Sequence, residues 1–291
     1  MPHPAPPDWP HRAQSRSVQA VGHDWWVIDT GAPDDTRPVV LLLHGAGGSG
    51  HSFRHLIPCL DAYRLIVPDL PGQGLTRTRP GTRFGLEPMS HDVAALCREI
   101  NIAPDWIIGH SAGAAIALHL AERMPLQGVV GINAALGKFD GAAGVLFPLL
   151  ARALAALPMV PQAISALWGN PATVNRLLAS TGSQIDPAGR AQYLALVRRS
   201  DHVNGTLGMM AAWQLDGLLS RLPDQAVPVL LLVAEDDKTV PARISKDAAG
   251  RMPLAELAVM DRGGHLVHEV DAPAVAARIE AFLKGTRQGK A

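Results

Sequence analysis

The sequence is poor in cysteine: Cys59 and Cys97 are the only two in 291 residues, and neither sits in a C-x-x-C. That excludes a disulfide framework and a cysteine zinc cage, and it fits a reducing cytoplasm. No charge sign is in excess, since 26 Lys+Arg balance 26 Asp+Glu. The basic footprint of a nucleic-acid binder is therefore missing. Long apolar runs are scarce. Gly141 to Val160 is the one stretch that raises a membrane question, but Pro148, Arg152 and Pro158 interrupt it. A central Arg costs about 2.5–3.5 kcal/mol on insertion scales, so no transmembrane segment is expected and at most a peripheral membrane contact. Residues 1–16 begin Met1-Pro-His-Pro-Ala-Pro-Pro-Asp8, without the apolar core of a signal peptide. They read as a disordered, polyproline-like leader.

What is present is a globular composition, 47% hydrophobic and 18% charged, which excludes a disordered chain. A chain of this length buries about three-quarters of its unfolded surface and needs no metal or disulfide staple. Val18 to Val21 and Trp25 to Asp29 flank Gly22-His23 and predict a β-hairpin. Short apolar runs then recur at Val39–Leu43, Leu65–Val67, Trp106–Ile108, Val129–Ile132, Val229–Val233 and Leu257–Val259. Runs without polar alternation predict strands buried on both faces, as in a parallel sheet. Helix-like stretches lie between them at Phe53–Leu60, Ser90–Ile100, Ala112–Arg123, Ala242–Arg251 and Ala274–Leu283. This alternation predicts an α/β fold with a helix-flanked sheet.

The rhythm breaks between Ile132 and Val229, where helix-like blocks appear instead: Val145–Ala156, Pro171–Ala179, Arg190–Arg199 and Leu207–Leu219. A structureless loop of that length is implausible, so an inserted helical subdomain over 135–223 is expected. The core then comprises 17–134 and 224–291.

The chemistry begins at Gly109-His-Ser-Ala-Gly113, a G-x-S-x-G between a predicted strand and a predicted helix. In that context the serine sits on a strained turn with its hydroxyl exposed, which makes Ser111 a candidate nucleophile rather than a plain helix cap. A serine hydroxyl needs a base, and the base needs a group to orient it. Downstream, Glu235-Asp-Asp237 follows a buried strand, and Asp261-Arg-Gly-Gly-His265 places a histidine in a glycine loop after the last strand. Both lie at C-terminal strand ends, where α/β sites collect. His44-Gly-Ala-Gly-Gly48 follows the first buried strand and lacks the Gly-Lys-Ser/Thr of a phosphate loop. His265 and His268, like His51 and His55, have a metal-like spacing, but no Glu or Cys completes a set, so neither metal nor cofactor is expected.

These residues resemble the α/β-hydrolase superfamily over about 17–284. The resemblance implies an α/β-hydrolase fold whose inserted helices form a cap. It implies Asp237, in D-x-x-V-P, as the acid and His265 as the base. It also implies that the backbone N–H groups of Ala46 and Ala112 line the oxyanion hole. Asp69-Leu-Pro-Gly-Gln-Gly74 resembles the family's D-x-P-G-x-G turn, with Gln73 where His or Phe is more usual. Serine at the elbow, rather than the aspartate of dehalogenases and epoxide hydrolases, points to acyl chemistry. Candidate pocket residues are His44, His110, Phe147, Trp168, Met209, Met210 and Trp213, and the apolar ones predict a lipophilic or planar substrate.

Asp8-Trp-Pro-His-Arg12, Gly131-Ile-Asn-Ala-Ala135, Leu177-Leu-Ala-Ser-Thr-Gly-Ser183 and His202-Val-Asn-Gly-Thr-Leu-Gly-Met-Met210 resemble one branch of the superfamily. That branch is the magnesium-chelatase accessory proteins of bacteriochlorophyll biosynthesis. It implies a role near magnesium insertion into protoporphyrin or on a pigment intermediate, with a tetrapyrrole as substrate and magnesium chelatase as partner. Three functions remain open: a Ser–His–Asp hydrolase of that pathway, a non-catalytic porphyrin-binding or chelatase-docking accessory, and a general carboxylesterase or C–C-bond hydrolase.

Overall fold

A computed structural model describes residues 1–32, 34–79, 81–137 and 159–288. Nine strands form one sheet: β1 (Ser15–Ala20), β2 (His23–Asp29), β3 (Val39–Leu43), β4 (Arg64–Pro68), β5 (Arg77–Thr78), β6 (Trp106–His110), β7 (Gly128–Ile132), β8 (Val229–Ala234) and β9 (Ala255–Met260). Their spatial order is β1-β2-β4-β3-β6-β7-β8-β9, with β5 added to β2. The β1/β2 and β2/β4 pairs are antiparallel, and every pair from β4 through β9 is parallel. The strand order reverses at β3, which lies between β4 and β6. Such switch points open a crevice at the C-terminal strand ends.

Successive strand residues point to opposite faces, so the unbroken apolar runs supply two cores at once. On one face Leu41, Leu43, Ile107, Val129 and Leu231 pack under helices α1 (Leu86–Glu99) and α2 (Ala112–Ala121). On the other, Val40, Leu42, Ile108, Val130 and Leu232 pack under α10 (Ala272–Gln288), which carries Val275, Ile279 and Leu283. Each such side chain contributes roughly 1.5–3 kcal/mol when fully buried. Helix α2 is buried on every side from Ala112 to Leu120, and its small Ala and Gly residues let it lie close on the sheet.

Between β7 and β8 the described residues are helical: α3 (Val160–Trp168), α4 (Pro171–Ser180), α5 (Pro187–Val197), α6 (Ser200–Ala212) and α7 (Asp216–Ser220). Asn170 and Asp186 start α4 and α5 by accepting from the N–H of Thr173 and Gly189. The remaining helices are α8 (Ala242–Ala249) and the short α9 (Val267–Val270). No helix of the described residues is long and apolar enough to cross a membrane.

Several expectations need correction. Phe53–Leu60 is two 3-10 turns, Gly50–Phe53 and Ile57–Leu60, because Pro58 cannot sit inside a continuous helix. The block Leu207–Leu219 breaks at Trp213 into α6 and α7, and α3 was not anticipated. Strand β9 is not buried on both faces: it is the sheet edge, with Leu257 40% and Val259 39% exposed. The expected helix Val145–Ala156 lies outside the described residues. The leader expected to be disordered instead packs on the molecule. Trp9 is buried against Leu75 and Leu196, His3 N–H donates to the Leu75 carbonyl, and the His11 ring donates to the Arg54 carbonyl. Burial of one indole outweighs the ordering cost of a segment whose prolines already restrict it.

Candidate active site

Strand β6 ends in a turn that only this pattern of small residues permits. A Cβ on Gly109 would lie 2.3 Å from the Gly113 backbone, and one on Gly113 would lie 2.1 Å from the Leu43 carbonyl oxygen. Between them Ser111 is forced to φ 52° and ψ −116°, in a region that non-glycine residues avoid. Its N–H is held by the Ile132 carbonyl and its own carbonyl accepts from Ala114 and Ala135. Ala112 is the first residue of α2, so its N–H belongs to the set that no helical carbonyl can satisfy.

The β3 loop approaches from the side. A Cβ on Gly45 would come within 2.9 Å of Ser111 Cβ, which places the His44–Gly48 loop directly against the serine. His44 locks that loop: its Nδ1–H donates to the Gly45 carbonyl at 2.8 Å, and its Nε2 accepts from Leu70 N–H at 2.8 Å. Burial lowers its pKa to about 4, which keeps the ring neutral and able to accept. Gly47 N–H donates to Gln73 Oε1 at 2.6 Å, and Gln73 Nε2 reaches Met209 Sδ of α6 at 3.1 Å.

The three acids after β8 have three different partners. Asp237, whose side chain is fully buried, meets His265 Nδ1 with Oδ2 at 2.7 Å while Oδ1 accepts from the N–H of Thr239 and Val240. Asp236 accepts from Gly264 N–H at 2.8 Å and Gly263 N–H at 3.3 Å, so it holds the glycine loop ahead of the histidine. Glu235 pairs with Lys246 at the surface. The geometry thus brings together Asp237 and His265 and leaves Asp236 beside them in a supporting contact.

The remaining candidates fall into distinct places. His110 donates from Nε2 to the His265 carbonyl at 2.9 Å, and burial holds it well below the ordinary histidine range. Met209 is buried beside Gln73, whereas Met210 and Trp213 are half-buried. Trp168 ends α3 with 47% of its surface exposed. Phe147 lies outside the described residues. His268 is buried with both ring nitrogens unpartnered and a pKa lowered to about 3 by burial and the nearby charges of His265 and Arg54. Among the described residues, no group of three His, Cys, Asp or Glu is placed to hold a metal ion.

Sequence reasoning missed two contributors. Asn133, at φ 44° after β7, donates from Nδ2 to the carbonyls of Gly264 and His265 while its Oδ1 accepts from Ala234 N–H. Ser183, in the insertion, bonds to the same loop at Gly263 and Leu266. Their only signal was membership in segments that resembled one branch of a superfamily.

A family model described as the alpha/beta hydrolase fold matches residues 38–272, and those residues span every element that carries the site. The chain belongs to the α/β-hydrolase family. This hydrolase-fold protein is 50% identical over 285 residues to the magnesium-chelatase 30 kDa subunit of Rhodobacter capsulatus, covering 98% of this chain and 99% of that one. It also superimposes on a thermophilic esterase from Thermogutta terrifontis, with TM-score 0.71, 21% identity and coverage of 94% of this chain and 99% of that one. A haloalkane dehalogenase variant from Bradyrhizobium elkanii matches with TM-score 0.73, 21% identity and coverage of 95% and 98%. At that identity the two structures establish the fold of this α/β hydrolase and leave its chemistry to the site residues.

Proposed function

We propose that the protein is a serine hydrolase acting on an ester or related acyl substrate, in the bacteriochlorophyll pathway near the magnesium-chelatase step. The observation that carries this reading is the Asp237–His265 bond at 2.7 Å, formed by loops that follow the C-terminal ends of β8 and β9 as the strained serine elbow follows that of β6. Ser111 Oγ attacks the carbonyl carbon while His265 Nε2 takes the hydroxyl proton, and Asp237 holds the Nδ1–H tautomer and steadies the imidazolium. The oxyanion forms against the N–H groups of Ala46 and Ala112, and His265 then returns the proton to the departing oxygen. Water attacks the acyl-enzyme by the same route. The inserted helices are read as the cap over this centre, and their Met209, Met210 and Trp213 favour a lipophilic or planar substrate.

A fluorophosphonate probe tests the reading. It should label the wild-type protein once, at Ser111, and leave a folded Ser111→Ala variant unlabelled. Asp237→Asn should slow labelling by on the order of ten-thousandfold, because the imidazole then adopts the wrong tautomer. No labelling of the wild type would sink the hydrolase reading.

A second reading is favoured by the 50% identity to a protein named as a chelatase subunit: an accessory that docks on magnesium chelatase or holds a porphyrin. Ser111→Ala separates the two, since it removes one oxygen atom and leaves any docking surface intact. Loss of pigment synthesis in cells carrying only this variant supports the hydrolase, and full rescue supports the accessory.

A further inference from the structure

The segment Thr181–Ser183, where α4 ends, lies behind both members of the Asp237–His265 pair. The Thr181 carbonyl accepts from His265 N–H at 3.0 Å and from Lys238 N–H at 3.3 Å, so one oxygen joins the base's own peptide to the peptide that follows the acid. Gly182 and Gly264 touch backbone to backbone: a Cβ on Gly264 would lie 2.4 Å from the Gly182 carbonyl carbon. The Ser183 hydroxyl then bridges the His265 peptide from either side. It donates to the Gly263 carbonyl at 2.8 Å and accepts from Leu266 N–H at 2.8 Å. Ser183 is buried, so water does not compete for these bonds.

A second tie between the same two parts of the chain lies a few residues further on. Arg54, itself buried, pairs with Glu269 of α9 and with Asp186 at the start of α5, and Tyr193 of α5 donates to Glu269 Oε1 at 2.6 Å. The insertion is therefore bonded to the base loop on both sides of His265, before it through Gly263 and after it through Leu266 and Glu269.

We infer that Ser183 is a positioning residue for His265, and that the α4–α5 connection of the insertion, together with the core loops, fixes the imidazole on Asp237. Asp236 and Asn133 hold the loop from the core side, the first through the N–H groups of Gly263 and Gly264 and the second through the carbonyls of Gly264 and His265. Ser183 is the group that holds both the residue two before the histidine and the residue one after it. Without it, a buried N–H and a buried carbonyl that flank His265 lose their partner, and the loop must shift to find water. A shift of about 1 Å in a catalytic group costs roughly a hundredfold in rate.

The consequence for rate rests on the serine-hydrolase reading above, whereas the consequence for the Asp237–His265 bond does not. Ser183→Ala is compared with wild type by two measurements: the rate of fluorophosphonate labelling at Ser111, and the far-downfield proton resonance of His265 Nδ1–H, assigned by its loss in His265→Ala. Labelling should slow roughly ten- to hundredfold with unchanged half-saturation by the probe. The downfield resonance should broaden or vanish at a pH where the wild type retains it. Ser183→Cys, similar in volume but a poor hydrogen-bonding group, gives the same readout where the alanine variant folds poorly. If the wild type is not labelled but its resonance is lost in Ser183→Ala, the hydrolase reading fails and the positioning role stands. A folded Ser183→Ala protein with an unchanged resonance, or a wild type without that resonance, overturns the inference.

Discussion

Ser111 is held at φ 52° in a buried turn, and a residue in that region stores on the order of 1–3 kcal/mol of backbone strain. Glycine accepts the same dihedrals freely. Ser111→Gly should therefore raise the melting temperature while abolishing probe labelling, and Ser111→Ala, which keeps the Cβ, should not gain that stability. Calorimetry of the two variants checks this, and equal melting temperatures would mean the elbow carries no strain. At this scale the sequence was legible where a residue type is forced by sterics. Gly109 and Gly113 could be read because no other residue fits between Leu43 and the start of α2. Asn133 and Ser183 were not legible, nor was the supporting role of Asp236, since each acts through a hydrogen bond to a backbone group about 30 to 130 positions away, and nothing local in the sequence marks such a partner.

Strands β3, β6, β7 and β8 were readable because burial on both faces leaves an unbroken apolar run. Strand β9 produced the same run for a different reason, and its place at the sheet edge became visible only from the order of the strands. The inserted helices were harder to delimit. Their apolar faces pack on one another and on the core, so their ends are set by tertiary contact more than by propensity. Helix α6 shows how close that contact is. A Cβ on Gly205 would lie 2.0 Å from the Gly72 carbonyl oxygen, in the loop where Asp69 accepts from Gly50 and Leu75 N–H and His202 Nδ1 accepts from Gly74 N–H. Gly205→Ala must push α6 off that loop, at a cost of about 1–3 kcal/mol for overpacking. Because Gln73 of the same loop holds Gly47, labelling of Ser111 should slow as well. Chemical denaturation and labelling rates check both effects, and loss of stability with an unchanged rate would confine Gly205 to packing.

Across the whole molecule, six of the buried histidines are held below the ordinary histidine value, chiefly by burial. Burial lowers His44 to about 4, His202 and His268 to about 3, His51 and His110 well below 6.5, and His119 below it. The unfolded chain binds protons at these sites below about pH 6.5 and the folded chain does not, so stability is full above that pH and falls as pH drops toward 4, by about 1.4 kcal/mol per unit for each group. Two acids act the other way: burial raises Asp69 to about 6 and Glu269 to about 7, so their contribution improves as pH falls from 7 toward 4. Six groups outweigh two. The denaturation midpoint should therefore decrease from pH 7.5 to pH 5, and a flat profile over that range would show that these rings are protonated in the folded state. The histidine count was plain in the sequence, but the burial that sets the sign of this effect was not. The stitching of the insertion to the base loop has a further consequence, for ancestry. A descendant that exchanged these helices for another set would have to replace the supports of its own histidine in the same event. The shape of the insertion and the setting of the Asp237–His265 pair are thus inherited as one block, and change in the insertion is steered toward side chains that touch neither the His265 loop nor the Gly72 loop.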